Sequence, residues 1–134
     1  MRRLAPGLGL DADDMAMLGW LHDFGYMLGD PDMHAATLGR LLASYGYPYA
    51  GSVARHGDPE LIDWDNPIDV LLNGADMRVA GDGRLVSFDG RLADVAERWG
   101  EGSPRVVLCR RVCARLGDSS LWLRVASQNS VILD

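Results

Sequence analysis

Apolar residues recur along this chain at the spacing of helices. Met15, Leu18, Leu21 and Gly25 line one stripe of a helix predicted over 12–27, and Leu38, Leu41, Leu42 and Tyr45 do so over 31–45. Ile68, Leu71, Leu72 and Ala75 mark a third over 67–78, and Leu92, Val95, Ala96 and Trp99 a fourth over 88–99. Val106, Val107, Cys109, Val112 and Cys113 mark the last clear one, over 104–116. The expected fold class is all-α, a compact bundle of about six helices.

The punctuation agrees. Four of six prolines directly follow a residue suited to a helix N-cap: Asp30-Pro31, Asp58-Pro59, Asn66-Pro67 and Ser103-Pro104. The side-chain oxygen accepts a bond from an orphan backbone N–H, and proline at the first helical position has no N–H to leave unpaired. Asp11, with Asp13 and Asp14 behind it, and Ser87 before Asp89 mark two further starts. No repeat or long linker divides the chain, so residues 1–118 read as one helical domain. Residues 119–134 read as a C-terminal tail. Trp122, Val125, Val131, Ile132 and Leu133 make it too apolar to hang free. It is either extended or packed on the body or on a partner chain.

Composition narrows the function. The chain has 134 residues and a net charge of −6, which disfavours a nucleic-acid role resting on phosphate electrostatics. All 13 basic residues are arginine; without lysine there is no P-loop lysine, Schiff base or lysine general base. Asp11, Asp13 and Asp14 interrupt the only apolar run near the N-terminus, and no stretch reaches the about 18 apolar residues of a membrane span. Cys109 and Cys113, four apart in a helix and without nearby His, read as inert core thiols in a reducing cytoplasm.

The candidate chemistry lies with the three histidines. His22-Asp23 ends the run Trp20-Leu21-His22-Asp23-Phe24-Gly25-Tyr26. His34 opens the next helix, with Gly39 behind it, and His56 closes Val53-Ala54-Arg55-His56-Gly57. Asp76 sits at the far end of an apolar helix, in Asn73-Gly74-Ala75-Asp76-Met77. Imidazole and carboxylate together suit a divalent metal such as Mn, Fe, Co, Ni or Zn, with Mg also accepted.

This order of residues resembles the HD superfamily of metal-dependent phosphohydrolases, over about residues 7–100. The matching pieces are Leu21-His22-Asp23-Phe24-Gly25, His34 with Gly39, the His56 segment and Ala75-Asp76. The stretch from Asp76-Met77-Arg78-Val79 through Asp82-Gly83-Arg84 to Asp94 looks like a small bacterial subgroup of that family. The resemblance implies that His22, Asp23 and Asp76 hold a first metal, with His22 and Asp23 at the catalytic centre. His34 and His56 would hold a second, bridged by Asp23. It implies hydrolysis of a nucleotide or similar small phosphoester, with Arg55, Arg78 or Arg84 on the phosphate. The alternatives are a degenerate HD module that binds without turnover and a di-iron HD oxygenase.

Two departures stand out. Tyr26 occupies a position where many members carry lysine. The family's first ligand, a histidine on a preceding helix, has no counterpart before residue 22. Either the chain as given begins late or the first metal position is depleted. The open N-terminal side, like the tail, is then a candidate surface for a second copy or another partner.

Overall fold

The computed structural model describes residues 1–129. Among them, seven α-helices follow one another: α1 (Ala12–Leu21), α2 (His34–Ser44), α3 (Ala50–Arg55), α4 (Pro67–Asp76), α5 (Phe88–Trp99), α6 (Pro104–Asp118) and α7 (Ser120–Gln128). Short 3-10 turns at Ala5–Leu8, Phe24–Met27 and Pro31–Met33 join them. Among the described residues there is no strand, only an isolated bridge between Val79 and Leu85. No helix there is long and apolar enough to cross a membrane.

Most of the expected starts are capped as their side chains demand. Asp11 accepts from the N–H groups of Asp13 and Asp14, Asn66 from Ile68, Ser87 from Gly90 and Ser103 from Val106. Asp30 caps only the 3-10 turn that leads into α2. Asp58 is the exception. It accepts from the Glu60 N–H, but Asp63 then forms a second such turn with Asp65, so the segment stays a loop. The helix expected over 12–27 ends at Leu21 and continues as the 3-10 turn Phe24–Met27.

Helix α4 is the pillar. It packs against α1, α3, α6 and α7, and Val70, Leu71 and Leu72 on it are fully buried. A helix contacted from so many sides cannot keep a polar face, and Asp69 and Asn73 are fully buried as well. Met15 and Leu18 of α1, Leu38 of α2, Val53 of α3 and Val112 and Leu116 of α6 complete the core around it. In α2 the expected stripe is only half used: Leu38 is buried, whereas Leu41 and Tyr45 are exposed.

Of the arrangements open for residues 119–134, the described part takes the one packed on the body, and it does so as a helix. Ser119 caps α7 by accepting from the Trp122 N–H, and Trp122, Val125 and Ala126 bury one face of it. That face lies against α4, α6 and the Ala5–Leu8 turn, so α7 belongs to the same core as the rest. Burial of Trp122 beside Phe88, with ring centroids 6.1 Å apart, removes enough apolar surface to hold a nine-residue helix that could not persist alone. Val131, Ile132 and Leu133 lie outside the described residues. The two cysteines are free, Cys113 buried and Cys109 half-buried, and burial pushes the Cys113 thiol up to about 12.

Candidate metal centre

Four of the five candidate ligands stand at the end of a helix. His22 follows the last turn of α1, His34 is the first residue of α2, His56 caps the C-terminus of α3 and Asp76 is the last residue of α4. Asp23 lies in the break between α1 and the Phe24–Met27 turn. The fold thus brings His22, Asp23, His34, His56 and Asp76 together, from four separate segments of chain.

The three imidazoles are held in the same way. The Nδ1 of His22 lies 2.7 Å from the Gly19 carbonyl, that of His34 2.8 Å from Pro31 and that of His56 2.6 Å from Val53. A carbonyl oxygen can only accept, so each Nδ1 carries the hydrogen, and in the neutral rings each Nε2 is left with its lone pair. The three Nε2 atoms point to one place, occupied by the Asp23 carboxylate. Asp23 Oδ2 is 3.2 Å from His22 Nε2; its Oδ1 is 3.3 Å from His56 Nε2 and 3.7 Å from His34 Nε2. Asp76 Oδ1 approaches His22 Nε2 from another side, at 3.8 Å.

Two details bear on whether these residues fit a cation. The Nε2 atoms of His34 and His56 are 3.1 Å apart, a separation at which two lone pairs repel unless a proton or a cation lies between them. Buried His22 Nε2 has no partner in hydrogen-bonding geometry among the described residues, although two carboxylates lie near it. Ligand atoms of His22, Asp23 and His56 all fall within 4.8 Å of one another. With bonds of about 2.1 Å, the ligands of one divalent ion stand about 3.4 Å apart, so a small inward closing makes these residues a binding set. The residues fit a metal ion.

The electrostatics agree. Burial disfavours a charged His22 ring, but the two carboxylates beside it, Asp23 and Asp76, outweigh it and push the imidazole up to about 10. Burial likewise opposes ionisation of both carboxylates. The neighbouring His22 and His56 rings nevertheless hold Asp23 far below the usual carboxylate range, and His22, aided by Arg91, lowers Asp76. Both carboxylates are therefore ionised, and a cation would compete with the His22 proton for them. His34 moves the opposite way, its pKa lowered chiefly by burial.

Close backbone packing sets the spacing. A Cβ on Gly25 would stand 2.1 Å from the His34 carbonyl oxygen, so only glycine lets the Asp23–Met27 segment lie directly on the start of α2. A Cβ on Gly39 would meet Ala54 at 2.5 Å, so α2 and α3, which carry His34 and His56, touch backbone to side chain.

The arginines divide differently from expectation. Arg55 makes a two-pronged pair with buried Asp69, Nε to Oδ2 at 2.7 Å and Nη2 to Oδ1 at 2.9 Å, a structural tie between α3 and α4. Arg78 is buried, its guanidinium 5.8 Å from the centre of the Phe88 ring. Arg84 is exposed on the turn after the Val79 bridge, paired with Asp82. The basic groups next to the site are two others. Arg91 of α5 donates to Asp76 Oδ1 at 3.3 Å and to Asp94 at 3.2 Å. Arg105 of α6 donates to the hydroxyl of Tyr26, whose ring stacks on His34. Neither stood out in the sequence, because only the fold brings α5 and α6 to the histidines. Surface hollows lined by Pro59, Glu60, Arg111 and Arg115, and by Trp64, Asp118 and Leu121, share no residue with the cluster.

Comparison with family models, with curated proteins and with solved structures finds no match for this chain.

Proposed function

We propose that this chain is an HD-type metal-dependent phosphohydrolase acting on a nucleotide or related small phosphoester. The observation that carries the reading is the convergence of three Nε2 atoms on Asp23, each imidazole fixed by its Nδ1–H on a backbone carbonyl. Outer bonds of that kind orient metal-ligating histidines and select their tautomer. His22, Asp23 and His56 would hold a cation; were two bound, Asp76 would join His22 and His34 would join His56. A divalent cation bound there would polarise phosphoryl oxygens and supply hydroxide near neutral pH.

The chain's own groups do the rest. Asp23, with 47% of its side chain exposed, faces solvent while His22, His56 and Asp76 lie beneath it, so substrate meets the site from the Asp23 side. Arg91 keeps Asp76 ionised and aimed. His56, 2% exposed, anchors the floor. The test is hydrolysis of a panel of phosphomonoesters, diesters and nucleotides by purified protein supplied with Mn, Fe, Co or Zn. His22→Ala and Asp76→Ala should each abolish turnover; activity that survives both substitutions removes these residues from the site.

A second reading rests on a specific feature. Arg91 holds the same Asp76 Oδ1, at 3.3 Å, that faces His22 Nε2 at 3.8 Å, so this carboxylate is already partly engaged. That favours an HD module which binds a metal and a phosphorylated ligand without turning it over. Metal binding with no hydrolysis anywhere in the panel selects it.

A further inference from the structure

His34 is less enclosed than His56, its side chain 16% exposed against 2%. It follows a turn, Pro31–Met33, whose residues are all exposed, and one edge of its ring meets His56, with centroids 5.0 Å apart. What covers it is Tyr26. The two rings lie almost parallel, 13° apart, with centroids separated by 3.9 Å.

Tyr26 is itself anchored from the other half of the chain. Arg105 Nη1 donates to its hydroxyl at 3.0 Å, and Arg105 Nη2 donates to Asp32 Oδ1 at 2.9 Å, on the turn immediately before His34. The guanidinium is clamped in turn over the Trp99 ring, 3.9 Å from its centre. Trp99 ends α5 and Arg105 lies in the first turn of α6. The result is a continuous stack, Trp99, Arg105, Tyr26, His34, which fastens the α5–α6 joint to the loop carrying the histidine. An arginine fork suits this task because it bonds in plane while its faces stack.

We propose that Tyr26 is the positioning residue of His34 and Arg105 its anchor, together holding the His34 Nε2 on the divalent-cation position it shares with His56 and Asp23. The inference rests on the metal-centre reading above. Tyr26 and Arg105 ligate nothing themselves. They keep the ring from swinging into solvent, so that the lone pair is in place before a cation arrives.

The experiment is a cobalt titration of the full chain, read by the visible d–d absorption of the bound ion and by metal content after desalting. The proteins are wild type, His34→Ala, Tyr26→Ala, Tyr26→Phe and Arg105→Lys. His34→Ala should weaken or abolish one class of bound cobalt. Tyr26→Ala should weaken the same class about 10-fold and change its spectrum. Tyr26→Phe, which keeps the stack and loses the tether, and Arg105→Lys, which keeps the charge and loses the fork, should fall between. Melting temperatures of the metal-free proteins separate a merely structural role: a lower melting temperature with an unchanged cobalt curve overturns the proposal. Should Tyr26→Ala fail to fold, wild-type cobalt binding and spectra in both Tyr26→Phe and Arg105→Lys overturn it. If cobalt fails to bind the wild type, the metal reading falls and this inference with it. If wild type binds, His34→Ala does not and the Tyr26 and Arg105 variants match wild type, the inference alone fails.

Discussion

Removing the Asp69 carboxylate should loosen the metal centre without touching any ligand. Asp69 is fully buried on α4 and accepts four bonds. These come from Ser52 Oγ at 2.6 Å, Arg55 Nε at 2.7 Å, Arg55 Nη2 at 2.9 Å and the Asp63 N–H at 3.0 Å. Ser52 and Arg55 belong to α3, whose next residue is His56, so this carboxylate fixes the angle at which α3 presents the histidine. Breaking a buried ion pair by deleting one partner costs about 3–5 kcal/mol. Arg55 is 33% exposed and can turn to water, which argues for the lower end, while Ser52 and the Asp63 N–H each lose an acceptor worth about 1 kcal/mol. Asp69→Ala should therefore cost about 3–4 kcal/mol and lower the melting temperature by roughly 10 °C for a chain of this size.

The pH dependence carries a sign. Burial alone would raise the Asp69 pKa, but Arg55, Ser52 and the Asp63 N–H outweigh it and hold the folded value below the ordinary one. A depressed carboxylate stabilises the fold above the unfolded pKa of about 3.9 and loses that contribution as pH falls through the folded value. The gap between wild type and Asp69→Asn should thus be full above about pH 5 and narrow on acidification below about pH 4. Calorimetric or circular-dichroism melts across this range read it. An Asp69→Ala protein within 1 kcal/mol of wild type, or an Asp69→Asn gap independent of pH, refutes the account.

Other expectations follow from single contacts. Gly25→Ala puts a Cβ against the His34 carbonyl, so the variant should lose metal affinity well beyond its loss of melting temperature; equal metal affinity would show that the two segments can part freely. Trp122→Ala should cost about 3–5 kcal/mol in denaturant unfolding, as for other buried tryptophans, whereas a separable tail would lose almost nothing. Because His22 is protonated up to about pH 10 in the metal-free cluster, metal uptake at pH 7 should release about one proton from it. Titration calorimetry in buffers of different ionisation enthalpy measures that number, and none released would mean the ring is already neutral. Arg91→Met should weaken metal retention about 10-fold by freeing Asp76, read by competition with a chelator, with no change expected if Arg91 only packs.

Local signals in the chain were readable wherever they repeat a local rule. The caps at Asp11, Asn66, Ser87 and Ser103, and the periodic runs behind them, specify their helices without help from the rest of the fold. So were the five metal-site candidates, because His22-Asp23, His34, His56 and Asp76 are conspicuous by residue type. What escaped is long-range. Asp69 reads as an ordinary first-turn acid, and its burial depends on α3 and α7 closing around α4. Arg91 and Arg105 sit on helices whose own patterns say nothing of the histidines. Residues 120–128 were left undecided for a different reason. Trp122, Val125 and Ala126 have helical spacing, but one short stripe behind Gly117 and two serines is too brief to tell a helix from an extended tail.

The near contact of α2 with α3 has a consequence for how the protein reaches its final form. His34 and His56 meet across only 22 residues of chain, within a single helical hairpin, so their pairing needs little loop closure and belongs to the contacts that form fast. His22 and Asp76 meet only after that hairpin, the 57–66 loop and α4 have all docked. The centre should assemble in two stages: a hairpin carrying two imidazoles first, and the remaining ligands once α4 is in place. A cation present during refolding would meet the hairpin half first. Stopped-flow refolding of the Ala54→Gly and Val70→Ala variants tests the order: the first should slow folding, and the second should mainly speed unfolding.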